Sequence, residues 1–320
     1  TCSKPHSRLL ATGGKADEIA ARAREIDADV IVIDNDLAPS QQRNWESLSG
    51  VCVIDREEVI LDIFAQHATT RDGKLQVELA QLKYLLPRLA QRAEVSLSRL
   101  AGGIGGRGPG ETKLEIDRRR TRDRVTWLER ELGKLGKQRA NRRRRRGRRD
   151  VPVLSIVGYT NAGKSTLFNA ITGASTLTED KLFATLDPMT RRLRLPTNQN
   201  VLLSDTVGFI RKLPHDLVDA FKATLEEVIE ADLLLHVVDI SSPQAQEQIE
   251  AVNVVLDELD VAEKPTLMVF NKIDRVTAPG LAKRFTDQYP NSIVVSARSG
   301  EGFDAFMSEL GKQLLSLIHI

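Results

Sequence analysis

Apolar positions change their spacing along this 320-residue chain, and each change marks a new kind of structure. A stretch of helical period over 15–27 is followed by two short β-branched runs, DVIVID (29–34) and VCVID (51–55), with a helix start at Pro39 to Ser49 between them. Strand, helix, strand predicts a small parallel α/β unit with buried strands. It opens abruptly at Thr1, which leaves room for an earlier strand ahead of it. From Gly73 the period is helical. Leu75, Leu79, Leu82, Leu86 and Leu89 step by 4, 3, 4, 3 and form one stripe on a long helix. Pro87 lies inside that pattern and predicts a kink or interruption. Val125, Leu128, Leu132 and Leu135 step by 3, 4, 3 within a second helical stretch, 111–146, which would span about 54 Å. Two long helices joined by a glycine turn predict an antiparallel hairpin, each covering the other's stripe.

From Val151 the apolar runs return, separated by helix-length stretches: VPVLSIVG, NVLLSD, ADLLLHVVD, PTLMVFN and SIVVSA. This alternation predicts a mostly parallel sheet with helices on both faces. The expected organisation is a small α/β domain over 1–68, cut short at its start, then a helical hairpin with a glycine-rich tip and a basic linker over 69–150, then a P-loop α/β domain over 151–314. The last residues, LSLIHI (315–320), match a translation of the transposon end CTGTCTCTTATACACATC, so a non-native tail is expected there, with the native chain continuing beyond it.

Composition adds an asymmetry. Net charge is only +2, yet residues 1–150 carry 31 Lys/Arg against 22 Asp/Glu (+9), and residues 151–320 carry 15 against 22 (−7). KQRANRRRRRGRR (137–149) holds nine basic residues and no acid. Such a run is a solvated face or a phosphate contact, and its length and single sign favour the phosphate. No apolar run has transmembrane length and no secretory signal is evident, so a cytoplasmic protein without membrane insertion is expected. Cys2 and Cys52 lack metal-ligand spacing and are expected as free thiols. His67, His215 and His236 share no ligand spacing either, and His236, in an apolar strand, is expected as a satisfied core histidine. Trp45 and Trp127 are expected to pack, although Trp127 on the arm is also placed to reach RNA.

Two glycine loops compete for a phosphate. GGIGGRGPGE (102–111) contains G-x-G-x-x-G, but it follows a helical stretch, whereas the dinucleotide fingerprint must follow a strand and open a helix. That reading is rejected. GYTNAGKS (158–165) meets the condition, lying after an apolar strand and before a helix. Gly158 and Gly163 let the N–H groups of Tyr159, Thr160, Asn161 and Ala162 curl around phosphate oxygens. Lys164 reaches the β- and γ-phosphates, Ser165 offers a hydroxyl to Mg²⁺, and Thr166 continues the helix whose N-terminus faces the anion.

DTVG (205–208) ends another strand. Asp205 is placed for the Mg²⁺ shell, Thr206 and Val207 follow it, and the Gly208 N–H can meet the γ-phosphate. NKID (271–274) also ends a strand. The Asp274 carboxylate can accept both guanine donors, N1–H and the exocyclic amine, a pair that adenine does not offer. Asn271 can address the other base edge, Lys272 can lie along the ring, and Ile273 completes the turn. Ser296, Ala297 and Arg298 supply a third base contact through the Ala297 N–H. FATLD brings Phe183, Ala184, Thr185, Leu186 and Asp187, of which Thr185 completes the Mg²⁺ shell, with Thr190 as the alternative. The metal set is thus Ser165, Thr185 and Asp205, and Lys164, Thr185 and Gly208 act on the reacting phosphates. Many GTPases place glutamine after the DxxG glycine to orient water. Here Phe209 stands there, which predicts slow intrinsic hydrolysis, raised by a partner. Asn161 either shapes its loop or holds K⁺ as a fixed positive charge.

With GGIGGRGPGET, LEIDRRR, GYTNAGKSTLFN, LFATLDPMTRR, DTVGFIRKLPHDLVDAFKATLEE and NKID in place, the chain resembles the HflX family of ribosome-associated GTPases over nearly its whole length. The resemblance implies a P-loop GTPase domain behind a hairpin that enters the large ribosomal subunit near the peptidyl transferase centre. It implies splitting or rescue of stalled ribosomes, notably under heat stress, with GTP hydrolysis stimulated by the large subunit. Gly105, Gly106, Arg107 and Gly108 would then touch ribosomal RNA at the hairpin tip, and Arg142, Arg143, Arg144, Arg145 and Arg146 would hold its phosphates. Pro87 in the first arm and the lack of a further C-terminal domain depart from the family pattern. A monomer binding GTP and GDP is expected. A binding module clamped by GTP, acting on ribosome assembly or hibernation with little turnover, is the alternative that Phe209 keeps open. An ATP-driven RNA remodeller is disfavoured by Asp274.

Overall fold

The computed structural model describes residues 8–100, 113–147, 151–173, 189–211 and 225–318. The chain divides into two compact units, Thr1–Gln66 with Leu75–Gly133, and His67–Lys74 with Lys134–Ile320.

The first unit opens with α1 (Gly13–Glu25), β1 (Val30–Ile33), α2 (Pro39–Ser49), β2 (Cys52–Asp55) and α3 (Arg56–His67). Proline in the first turn starts α2, where its missing N–H costs nothing, and Gly50 at φ +74° ends it. β1 and β2 pair in parallel from Val30↔Cys52 to Ile33↔Asp55. Ala16, Leu37, Trp45 and Val53 form the core, with Ile31 and Ile33 packed against it. The expectation of a buried β1 is corrected. Val30 and Val32 stand exposed, because the strand has period two and the two helices cover only one face. Cys52 is an exposed free thiol.

α4 (Arg71–Leu100) runs through Pro87 without the interruption that was one of the two outcomes expected there. The proline removes one backbone donor, and the neighbouring side chain of Arg88 reinforces that turn. Its guanidinium donates to the Tyr84 carbonyl (2.9 Å), the Leu37 carbonyl (3.1 Å), Gln42 Oε1 (2.9 Å) and the fully buried Asp55 (2.9 Å). Asp55 also accepts from the Tyr84 hydroxyl (3.1 Å) and the Leu37 N–H (3.1 Å). Burial, then the Asp55 charge, push the Tyr84 hydroxyl above its ordinary pKa, so it remains a donor.

The leucine stripe behaves as expected: Leu75 and Leu79 are buried, and Leu82, Leu86 and Leu89 are half-buried. On α5 (Lys113–Gly147) Leu128 is fully buried. Glu78–Arg124 and Lys83–Glu129 join the two helices, and the partner numbers rise together along both. Trp45 packs as expected, whereas Trp127 is exposed, with the Arg124 guanidinium 4.3 Å from its ring centre. The expected RNA-contacting tip, Gly105 to Gly108, lies outside the described residues. Arg142 to Arg146 lie on the α5 backbone, with their side chains outside the description.

The second unit contains β3 (Val153–Gly158), α6 (Lys164–Thr172), β4 (Met189–Arg194), β5 (Asn200–Asp205), β6 (Leu233–Asp239), α7 (Ala245–Glu258), β7 (Thr266–Asn271), a 3₁₀ turn (Ile273–Arg275), α8 (Leu281–Gln288), β8 (Ser292–Val294) and α9 (Phe303–Ile318). The sheet order is β4-β5-β3-β6-β7-β8, and only β4 is antiparallel. β4 was not foreseen. Its sequence, MTRRLR, has little apolar content because Arg191, Arg192 and Arg194 are exposed at the sheet edge. One face of the sheet packs Ile156, Leu203, Leu235 and Val269 against Leu167 and Phe168 of α6 and Phe306 and Leu310 of α9. The other packs Val238, Met268 and Phe270 against Ile249 of α7 and Phe285 of α8. Helices therefore cover both faces, and the loops at the carboxyl ends of the strands converge.

His236 is a correction within the core. It is 1% exposed, but its Nε2 has no hydrogen-bond partner, so it is not the satisfied histidine expected. Burial, then the Lys164 charge, lower its pKa to about 4. In unfolded chain a histidine titrates near 6.5, so between these values only the unfolded state takes the proton and stability falls with falling pH. The cost approaches about 3 kcal/mol by pH 4. His236→Leu should reduce the stability lost between pH 7 and 4.5 by about 2–3 kcal/mol, measured by urea unfolding at both pH values. An unaltered pH dependence would refute this account of the buried imidazole.

Candidate nucleotide-binding site

The site begins with β3 lying tightly against β6. At Gly158 (φ +148°) a Cβ would fall 2.2 Å from the Val237 carbonyl oxygen, so no larger residue fits where the strand turns into the loop. Tyr159 to Gly163 then curl back, with Asn161 at φ +59° and Gly163 at φ +91°. α6 starts at Lys164, so its N-terminus opens toward this loop and Ser165 and Thr166 occupy its first turn. Lys164 is 6% exposed, and its ammonium donates to the Tyr159 carbonyl (2.8 Å). Burial lowers its pKa to about 8, Asp205 opposes this, and Lys272 adds to it. A buried cation held at such a cost gains when an anion arrives.

β5 brings Asp205 beside Ile156 of β3. Thr206, fully buried, donates its hydroxyl to the Ile156 carbonyl (2.6 Å), which fixes where Val207 and Gly208 leave the sheet. A Cβ on Gly208 would lie 2.9 Å from both the Lys164 ammonium and Thr160 Cα. The next residue is bound to the phosphate loop: the Phe209 N–H donates to the Gly158 carbonyl (3.1 Å), and the Thr160 N–H to the Phe209 carbonyl (2.8 Å). The Phe209 ring is 1% exposed. It is buried in the unit and has no group that could hold water.

At the ends of β7 and β8 lies a second cluster. Asn271 donates to the Ala162 carbonyl (2.9 Å) and accepts from the Ala297 N–H (2.9 Å). Asn271 and the Ala297 N–H, both expected at the base, are thus hydrogen-bonded to the protein as well, and the Asn271 amide keeps a second donor and a second acceptor position. A buried amide must be satisfied, and this one ties the phosphate loop to the last strand's loop. Ser296 donates to Asp274 Oδ1 (2.6 Å) and accepts from the Ser299 N–H (3.1 Å), which orients the exposed Asp274 carboxylate between Ile273 and the 296–298 loop. Lys272 donates to the Asn161 carbonyl (2.7 Å) and pairs with Asp239 (2.7 Å). Asp239 was missed by sequence reading. Its only signal is an apolar strand, LLLHVV, ending in a carboxylate.

Phe183, Ala184, Thr185, Leu186 and Asp187 lie outside the described residues. Thr190, the alternative to Thr185, sits in β4 with its hydroxyl 3.0 Å from that of Ser204, where the sheet pairing engages it. Ser165 and Asp205 offer hydroxyl and carboxylate oxygens, the hard donors that suit Mg²⁺. Among the described residues no three His, Cys, Asp or Glu side chains converge, so an ion here would need the oxygens of a nucleotide and water to complete its shell.

Family models match residues 1–65 (GTP-binding GTPase N-terminal), 67–146 (GTP-binding GTPase Middle Region) and 153–272 (50S ribosome-binding GTPase). The GTPase HflX of Caldanaerobacter subterraneus is 50% identical over 301 residues, covering 94% of this chain and 69% of that protein. The GTPase HflX of Escherichia coli is 51% identical over 312 residues, covering 97% and 73%. A crystal structure of a GTP-binding protein from Sulfolobus solfataricus in complex with GDP is similar over 99% of this chain and 89% of that one, with 26% identity and a TM-score of 0.52. Among the described residues no helix is long and apolar enough to cross a membrane.

Gly163→Ala places a Cβ 2.3 Å from Asn271 Nδ2 at a positive φ, so it should break the Asn271–Ala162 tie. GDP affinity, read by fluorescent GDP titration, should fall at least about tenfold with an unchanged circular dichroism spectrum. Wild-type affinity in this variant would overturn the site geometry.

Proposed function

The chain belongs to the HflX family of GTPases, and from that premise we propose that its nucleotide site switches a basic arm on and off the large ribosomal subunit, splitting or rescuing stalled ribosomes. GTP hydrolysis is the family's reaction, and the chain is a GTP hydrolase. One observation carries the reading: the phosphate loop, the 205–208 turn and the 271–274 and 296–298 loops all meet at the carboxyl ends of one parallel sheet.

In this reading Gly158 to Thr166 cradle the phosphates, and Lys164 exchanges its carbonyl partner for phosphate oxygens. Ser165 and Asp205, joined by Thr185, hold Mg²⁺, which would neutralise charge on the phosphates. The Gly208 N–H marks the γ-phosphate, and Asp274 selects guanine. The Phe209 backbone is hydrogen-bonded to the loop at Gly158 and Thr160, so a γ-phosphate that reaches Gly208 must alter this pairing. That change is the switch. Asn161 at positive φ supports its loop-shaping role, since asparagine tolerates that conformation. A K⁺ at its side chain is the alternative.

The arm supplies the polyanion contact. The 31-to-22 excess of Lys/Arg over Asp/Glu in residues 1–150, the tip Gly105 to Gly108 and Arg142 to Arg146 support binding to ribosomal RNA, as does the match to the 50S ribosome-binding GTPase family model. A monomer acting in the cytoplasm completes the proposal. The buried Phe209 favours a second reading, a GTP-clamped ribosome-binding module with little turnover, because its ring carries no group to orient water.

Purified large subunits should raise phosphate release from GTP by at least about tenfold, as expected when a partner positions what Phe209 cannot. Release that stays at the intrinsic rate would favour the clamp. Asp274→Asn should weaken GDP by about a hundredfold, since it replaces an acceptor of two guanine donors. Unchanged GDP binding in a titration would remove Asp274 from base recognition.

A further inference from the structure

We propose that Asp239 is a positioning residue for guanine nucleotide binding, acting through Lys272 on both the base pocket and the phosphate loop. The proposal rests on the nucleotide reading of this site and deepens it.

β6 and β7 end side by side, with Asp239 in register with Asn271 and the Ile240 N–H donating to the Asn271 carbonyl (3.1 Å). One residue further, Lys272 takes φ +66°. That conformation costs a residue with a Cβ and persists only where its surroundings enforce it. Here it folds the side chain back across the strand ends. The ammonium then has two fixed partners, Asp239 Oδ2 and the Asn161 carbonyl, both at 2.7 Å. Asp239 is itself fixed: its Oδ1 accepts from the Ser241 N–H (3.0 Å) and hydroxyl (2.6 Å). The two side chains are only 17% and 13% exposed, so solvent screens the pair weakly.

Two consequences follow. First, a lysine tethered at its tip holds its methylene stem in one place. Lys272 Cε lies 3.8 Å from where a Cβ on Gly163 would stand, so the stem borders the phosphate loop and presents apolar surface beside the pocket that Asp274 and Ser296 outline. Second, the carboxylate neutralises an ammonium close enough to Lys164 to lower its pKa. Asp205 acts on Lys164 and Asp239 on Lys272, so the two cations keep separate partners. Without Asp239, Lys272 would be a half-paired cation beside the phosphates, free to leave the base pocket for them.

The test is a double-mutant cycle on the whole chain, with GDP affinity measured by calorimetry in Mg²⁺. Asp239→Asn should weaken GDP by about tenfold, and so should Lys272→Met. In the Lys272→Met background, Asp239→Asn should change affinity by less than about twofold, because its only route to the nucleotide is gone. Asp239→Glu, which keeps the charge, should give intermediate affinity and an ordinary melting curve, and it carries the test if Asp239→Asn fails to fold. Independent, multiplying losses in the cycle would overturn the proposal and leave Asp239 a structural strand-end residue. So would wild-type affinity in both Asp239 variants. If the wild-type chain itself took up no GDP, the nucleotide reading would fail instead, and the two failures are distinguishable.

Discussion

The nucleotide end of this protein depends on how closely β3 approaches β6 at Gly158. The Val237 carbonyl occupies the space a side chain would need, so the strand must end in glycine where the chain turns into the loop. The loop that results is not held by its own hydrogen bonds alone. Asn271 binds Ala162, Lys272 binds Asn161, and Phe209 binds Gly158 and Thr160. Two other strand ends, those of β5 and β7, thus hold the phosphate loop, and a shift in either is felt at the position of the anion.

Electrostatics explains why such a site rests in readiness. Lys164 and Lys272 are both largely removed from water, and each lies near a carboxylate that moderates the cost. The bond from the Lys164 ammonium to the Tyr159 carbonyl is of a kind that a phosphate oxygen can replace. His236, buried in the adjoining core, is held neutral first by its burial and then by the nearby Lys164 charge.

The first unit solves a different problem. A long helix carrying Pro87 must leave a small α/β core as one continuous rod. Arg88, next to the proline, binds Asp55 on one side and the Tyr84 carbonyl of its own helix on the other. That guanidinium is always charged and planar, so it can serve two carbonyls, an amide and a carboxylate at once. The arm's charge and its anchoring are therefore separate features. The anchoring is neutral overall at Asp55–Arg88, and the positive excess lies further along, on α5.

Much was legible before any coordinates. The strands of the second unit are continuous apolar runs, since both faces are covered, and the motifs stand at their ends because backbone curvature around an anion demands glycine at fixed spacing. The leucine stripes located α4 and α5 for the same reason: periodicity records burial. What escaped the sequence was whatever depends on neighbours distant along the chain. β4 exists through pairing with β5 and hides behind its arginines, and Arg88 finds Asp55, 33 residues away. Asn271 and Ala297 satisfy each other before any base does, and Asp239 gains a role only where two strand ends meet. A sequence specifies which residues want burial, a charge partner or a left-handed turn, but which partner each finds is decided by tertiary packing, since only packing brings the alternatives within hydrogen-bond reach.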